Sequence, residues 1–485
     1  MRTQQFIHKN RVTVSPQLIT LIAVTSIISL ASFYLSPKAR TIASFFKGHS
    51  DGSEPSAKIP GLWTLTFSQV TTWIFARSIM NAVILGYFYG IGGALAYAAY
   101  YLSFLTGAWI IQSLRFRHGY DSVQAFLSDR FGMAGTTSYN FVVGVRLVSE
   151  IFANLLVIGL LFGADGSVAY TASILIVGAV ALGYSVMGGL NASLKTDVFQ
   201  MMFFIAVLGV LLGFVFATGS LDRSAVYAST PDVENPGWIL LAVAFLQVWS
   251  YPLHDPVMMD RGFIADRKTT LASFYHAGWI SVLCILAFGL IGVWAGLEKL
   301  ADENFTSSLG RLIGEWPLVL FNIALVISCM STLDSTFSST AKLTIVNMGL
   351  GRETIQNGRI AMVVFLIGGL LMVFFGSKDL FSAVAVSGTA SMFLAPVIFF
   401  SLWMGRTDIP VWSYLVSFAS AMIAATLYFT ESSGYTNLIT PLTGLEHKYA
   451  KLLLLSAGTM LTGCGAFLLG MATSQVGKNG VVSES

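Results

Sequence analysis

The chain has 485 residues, of which 11% are Asp, Glu, Lys or Arg and 55% are hydrophobic. Mean hydropathy is +0.73, whereas soluble globular chains carry about 25% charged residues, so a soluble enzyme, a disordered scaffold and a nucleic-acid-binding domain are excluded. The net charge of +3, from 27 basic and 24 acidic side chains, is too balanced for an acidic polymer as partner.

A membrane helix needs about 20 mostly apolar residues. Thirteen such stretches follow one another, near 16–36, 62–85, 90–114, 134–163, 168–188, 197–218, 237–259, 270–297, 315–347, 359–376, 380–404, 411–429 and 451–473. The runs are continuous rather than alternating, which excludes a β-barrel. The tail before the first stretch has the look of a signal-peptide start, but no clean small-residue cleavage site follows it. If the first helix enters from outside, fifteen Lys and Arg fall on the cytoplasmic side, Arg261 among them, and nine outside. Arg77, Arg146 and Lys342 fall within spans. That bias sets the orientation, with Arg2, Lys9 and Arg11 of the tail opposing it.

Chemistry-bearing residues are few. Cys284, Cys329 and Cys464 lie in apolar runs and read as small hydrophobes. The histidines are not at metal-ligand spacing, and the chain has no GxxxxGK[ST] loop to cradle a phosphate. Ionisable residues at membrane depth are functional candidates. Arg146 and Glu150 stand at i, i+4 and can pair on one helix face, as a structural pair or as part of a substrate site. His254 and Asp255 are bracketed by Pro252 and Pro256, so a helix breaks there and frees carbonyls. In SCMST at 328–332 the hydroxyls of Ser331 and Thr332 are adjacent, and Ser328 lies one turn earlier. Hydroxyls in membrane helices also simply bond the preceding turn.

Four stretches resemble the sodium/solute symporter family, the relatives of the sodium/glucose and sodium/proline cotransporters. SFFKGHS followed by GLWTLTFSQVTTW resembles that family's approach to its first core helix, and GYFYG at 86–90 resembles that helix's glycine-aromatic end. MGGLNASLKTDVFQ at 187–200 is similar to its GG-x-TD-x-x-Q stretch, and ISCMSTLDSTFSSTAK at 327–342 to its sodium-binding eighth core helix. The match covers roughly residues 40–405. The resemblance implies an all-α membrane protein of the LeuT type, with two inverted repeats of five helices. Residues 1–60 hold an extra helix and a cytoplasmic loop, 61–218 the first repeat, 219–404 the second, and 405–485 two accessory helices and a short tail.

The resemblance also implies site residues. A sodium ion takes the carbonyls of Thr71, Ile74 and Ser328 and the hydroxyls of Ser331 and Thr332. Asp197, Asp334 and Ser335 match a second sodium site found in some members, although Asp197 also reads as a helix cap. Trp73 and Ser78 fall on substrate-facing positions, Tyr251 where relatives close the pocket from inside, and Tyr97 and Tyr100 on the second core helix. For Tyr97 plain packing is the better reading. The family has small or polar residues where Arg77 stands and an amide near Asp255. Arg77, in the expected unwound stretch WIFARS, therefore holds a substrate carboxylate or forms a gate with Asp255.

The expected function is sodium-coupled symport of a small organic solute, with a carboxylate among the candidates. It is not an enzyme, and its partners are the solute, sodium and the lipid bilayer of the plasma (inner) membrane. Proton coupling through Asp255, His254 or Glu150 is the alternative. A transporter-like sensor or channel is the third reading, against which SQVGKNGVVSES offers no output domain. A monoanion carried with one sodium moves no net charge, so a carboxylate substrate and a second coupling ion stand or fall together.

Overall fold

The computed structural model describes residues 15–50, 58–217, 222–376 and 380–482, with the side chains of 380–385 and 475–482 left aside. Arg2, Lys9, Arg11 and Lys378, part of the orientation argument, lie outside the described residues.

Helices follow the apolar runs. The main ones are α1 (Pro16–Leu35), α2 (Leu62–Trp73), α3 (Ala76–Ala99), α4 (Ser103–Ile111), α5 (Val123–Phe162), α6 (Val168–Ala217), α7 (Pro236–Gln247), α8 (Pro256–Gly262), α9 (Arg267–Leu297), α10 (Glu315–Ala341), α11 (Ile355–Phe375), α12 (Leu380–Ser391), α13 (Val411–Ser432) and α14 (Lys448–Val482). Polar side chains start them: Asp266 accepts the Lys268 and Thr269 amides at the head of α9, and Thr354 accepts the Asn357 amide at the head of α11. Among the described residues, nine helices are long and apolar enough to cross a bilayer. The chain is a multi-pass membrane protein.

Nine is fewer than thirteen partly because apolar stretches run on into one helix. The 50 residues of α6 would extend about 75 Å at 1.5 Å per residue, against a hydrocarbon thickness of about 30 Å. Gly189, at φ 56° and ψ −137°, breaks it near the middle. Gly90 does the same in α3, at φ 62° and ψ −150°. Neither backbone conformation suits a residue with a Cβ.

Two further discontinuities shape the centre. The chain leaves helix after Trp73, with Ile74 at ψ 76° and Phe75 extended, and resumes at Ala76. Between α7 and α8 it passes through a tight turn at Tyr251–His254, and Asp255 is extended. Asp255 then caps α8 by accepting the Met258 amide at 3.0 Å, with Pro256 at the first helical position. α9 lies against α3 at backbone distance: a Cβ on Gly292 would fall 2.1 Å from the Val83 carbonyl oxygen. Small residues permit such approach in membrane helices, where packing rather than hydrophobicity joins them.

Candidate ion and solute site

Backbone unwound at membrane depth must be satisfied by protein groups, and here side chains from neighbouring helices do it. Tyr101 donates to the Trp73 carbonyl at 2.9 Å and Ser328 donates to the Ile74 carbonyl. The Ala76 amide donates to Asn154 Oδ1 at 3.2 Å. At the second break, Thr106 donates to the Val248 carbonyl at 2.6 Å and Tyr139 to the Leu253 carbonyl at 2.8 Å. The first break lies at Ile74–Phe75, so Arg77 belongs to the first turn of α3 and not to the unwound stretch.

Four buried charges bridge the two breaks. Arg77 Nη2 lies 2.8 Å from Glu150 Oε1, Arg146 pairs with the same carboxylate, and Arg146 Nη2 lies 2.8 Å from Asp255 Oδ2. Trp73 Nε1 also donates to Asp255 Oδ2, at 2.9 Å. An Arg77–Asp255 gate is thereby corrected: Arg146 takes Asp255, and Glu150 takes Arg77. The four charges sum to zero, which makes burial of each tolerable. Both guanidiniums lie over the Phe75 ring, at 5.5 and 5.6 Å, and Arg146 also over Tyr251 at 5.4 Å. Nε and Nη1 of Arg77 have no hydrogen-bond partner among the described residues.

A small cavity of about 20 Å³, room for roughly one water molecule, lies here, lined by Trp73, Phe75, Arg77, Ser78, Tyr97, Tyr100, Tyr101 and Tyr251. Tyr97, read from sequence as packing, lines it and donates to Ser78 Oγ at 3.3 Å. Tyr100 donates to Gln247 Oε1 at 3.0 Å. Tyr251 meets the Trp73 ring edge-on, with centroids 5.7 Å apart. Arg146, Glu150 and Asp255 stand behind this wall rather than in it. His254 turns away: Nδ1 lies 2.6 Å from the Tyr251 carbonyl and Nε2 3.0 Å from Ser387 Oγ. A carbonyl only accepts, so Nδ1 carries the proton and Nε2 accepts from Ser387. Phe75, Tyr101, Asn154 and Gln247 were missed by sequence reasoning. Their role is contact across helices, which no local pattern announces.

On the other side of the first break, α10 brings its hydroxyls up. Beside the Ser328–Ile74 contact, Thr332 Oγ1 donates to the Ser328 carbonyl at 2.9 Å. Thr71 is in the last turn of α2, where carbonyls lack an intrahelical amide. Its hydroxyl bonds back to the Phe67 carbonyl at 2.7 Å. Ser331 Oγ donates to Asp197 Oδ1 at 2.6 Å. Asp197 lies within α6 beyond the Gly189 break, not at a helix start, so it caps nothing. Its Oδ2 accepts from Ser68 at 2.6 Å and Ser193 at 3.3 Å. Asp334 accepts from Thr196 at 2.8 Å and Ser335 at 3.3 Å. Arg261, counted from sequence as a loop charge, is fully buried here, with Nη2 3.6 Å from Asp197 Oδ2.

No family model matches the chain. A Drosophila melanogaster protein, provisionally named a sodium-dependent multivitamin transporter, is 28% identical over 159 residues, or 33% of this chain. That match spans about a quarter of the relative's length, 26%. Among solved structures, a Na+-coupled sialic acid symporter superposes with a TM-score of 0.70 at 13% identity, covering 95% of this chain and 98% of its own. A nucleobase-cation-symport-1 family transporter in a closed conformation follows at 0.55 and 14%, covering 90% and 95%. A manganese transporter of Eremococcus coleocola stands at 0.52 and 11%, covering 86% and 94%. At these identities the likeness gives the fold, the LeuT-type transporter fold.

Proposed function

We propose that this chain is a secondary active transporter that moves a small organic solute with sodium by alternating access. One observation carries the reading: the Ile74 carbonyl, released where the first core helix breaks, meets Ser328 one turn from Thr332 on α10. Carbonyls of Thr71, Ile74 and Ser328 with the hydroxyls of Ser331 and Thr332 supply hard oxygen donors in a dry place, which suits sodium. The sodium-dependent naming of the partial relative and the fold of the sialic acid symporter support the same ion. The thirteen apolar stretches then cross the plasma (inner) membrane as five plus five core helices, 61–218 and 219–404, with 1–60 and 405–485 accessory.

The solute site lies between the two breaks, beside Trp73, Tyr100 and Tyr251, and must widen during alternating access to admit the solute. Arg77 offers it two free donors, which suit an acceptor oxygen, a carboxylate's included. Arg146, Glu150 and Asp255 hold Arg77 and the second break in place. The test is a thermal-shift screen of purified protein against sugars, carboxylates, amino acids and urea, each with and without sodium. Uptake of the stabilising solute into proteoliposomes then follows. Stabilisation and uptake that require sodium, and that Ser331→Ala with Thr332→Ala abolishes, are expected. Uptake indifferent to sodium, or driven by a pH gradient alone, overturns the reading.

A further inference from the structure

The oxygens that would take a second cation are Asp197, Asp334 and Ser335, and a guanidinium already stands among them. Arg261 Nη2 donates to Ser335 Oγ at 2.8 Å and Ser193 Oγ at 3.3 Å, and lies 3.6 Å from Asp197 Oδ2. Its Nε donates to Ser68 Oγ at 3.1 Å and its Nη1 to the Val257 carbonyl at 3.0 Å. The side chain is 0% exposed and held at every nitrogen, so it is a fixed part of the core.

We infer that Arg261 is this protein's own second cation, so that one sodium ion, not two, binds per chain. The inference rests on the sodium-symport reading above and deepens it. Charge decides the count. With both carboxyls ionised, Asp197 and Asp334 contribute two negative charges, and Arg261, beside Asp197, one positive. A sodium ion at Ser331 and Thr332 brings the group to zero, because Ser331 joins that site to Asp197 directly. A second sodium would leave an uncompensated positive charge in a waterless core, which is strongly unfavourable. Two cations would also compete for Ser335 and for Asp197 Oδ2. Arg261 therefore sets the ion stoichiometry without touching the solute.

The experiment is equilibrium dialysis of radioactive sodium against the purified full chain. Wild type is expected to bind one ion. Arg261→Met, which keeps the apolar stem and removes the charge, is expected to bind two, a twofold rise, and Arg261→Lys one. Ser331→Ala with Thr332→Ala should take wild type from one to none. Two ions bound by wild type overturn this inference and leave symport standing, and this readout needs no variant to fold. One ion bound by a monodisperse Arg261→Met protein also overturns it. No ion bound by wild type overturns the sodium reading and this inference with it.

Discussion

Asn154 spans the first break. Its Oδ1 accepts the Ala76 amide and its Nδ2 donates to the Glu150 carbonyl at 2.9 Å. Asn154→Ala strands a buried amide at the head of α3, which costs about 1–3 kcal/mol, and thermal melts should show it. Asn154→Asp keeps the acceptor but loses the donor to the Glu150 carbonyl and buries an unpaired charge, so its Tm is expected to fall as well. Glu150→Gln leaves Arg77 and Arg146 beside a single carboxylate, and unpaired buried charge costs about 3–5 kcal/mol. Protein yield and Tm should both fall, whereas a substrate-only role would spare them. Outside the membrane, Arg311 lies 2.8 Å from Glu303 and holds its carboxyl well below the usual 4.5, at about 2. A depressed carboxylate stabilises the fold above its ordinary pKa. That contribution is therefore present above about pH 4.5 and disappears as pH falls toward about 2. Melting curves across this window should differ between wild type and Arg311→Ala, and converge at its lower end. Arg77, Arg146 and Glu150 were legible as candidates because charge inside an apolar run is conspicuous. Arg261 was not, since Asp260, Asp266, Arg267 and Lys268 surround it and make the segment look like a loop. Its partners stand at 68, 193, 197 and 335, and only the folded chain brings those positions together.

At the level of helices, the two central breaks differed in how they announced themselves. Pro252 and Pro256 marked the second in the sequence, since proline removes donors and disrupts the turn before it. The first, at Ile74–Phe75, has neither proline nor glycine. Tertiary contacts from Tyr101, Ser328 and Asn154 place it, and the stretch WIFARS singled out by resemblance contains it, although Arg77 itself stands one residue into the next helix. The crossing of α3 and α9 is similarly a matter of contact rather than pattern. Gly292→Val would drive the two helices apart, because the obstructing atom is a backbone carbonyl that cannot rotate away. Overpacking of this kind costs about 1–3 kcal/mol, and size-exclusion profiles with thermal melts measure it. Gly144 on α5 meets nothing within 4 Å and serves as the control. Gly144→Ala should be neutral or slightly stabilising, by helix propensity alone.

For the molecule as a whole, the buried charges constrain the cargo. The cluster of Arg77, Arg146, Glu150 and Asp255 is neutral before any solute arrives. The cluster of Arg261, Asp197 and Asp334 becomes neutral with one sodium. A solute of no net charge keeps the loaded core neutral, and its hydroxyl, carbonyl or zwitterionic carboxylate oxygen suffices for Arg77. A monoanion would leave the core negative, and the second sodium that could offset it has no place beside Arg261. One sodium with a neutral solute carries one charge across per cycle, so membrane potential drives uptake. A potential of 100 mV supplies about 2.3 kcal/mol per charge and a tenfold sodium gradient about 1.4 kcal/mol. Together they sustain several-hundredfold accumulation, against about tenfold when no net charge moves. Proteoliposomes held at a tenfold sodium gradient, with the potential imposed by potassium and valinomycin, separate these cases. Accumulation that rises some fiftyfold between zero and 100 mV is the expected result, since 2.3 kcal/mol is nearly a factor of fifty. Accumulation near tenfold at both potentials would mean that an anion travels with the single sodium, and that the loaded core bears a net charge.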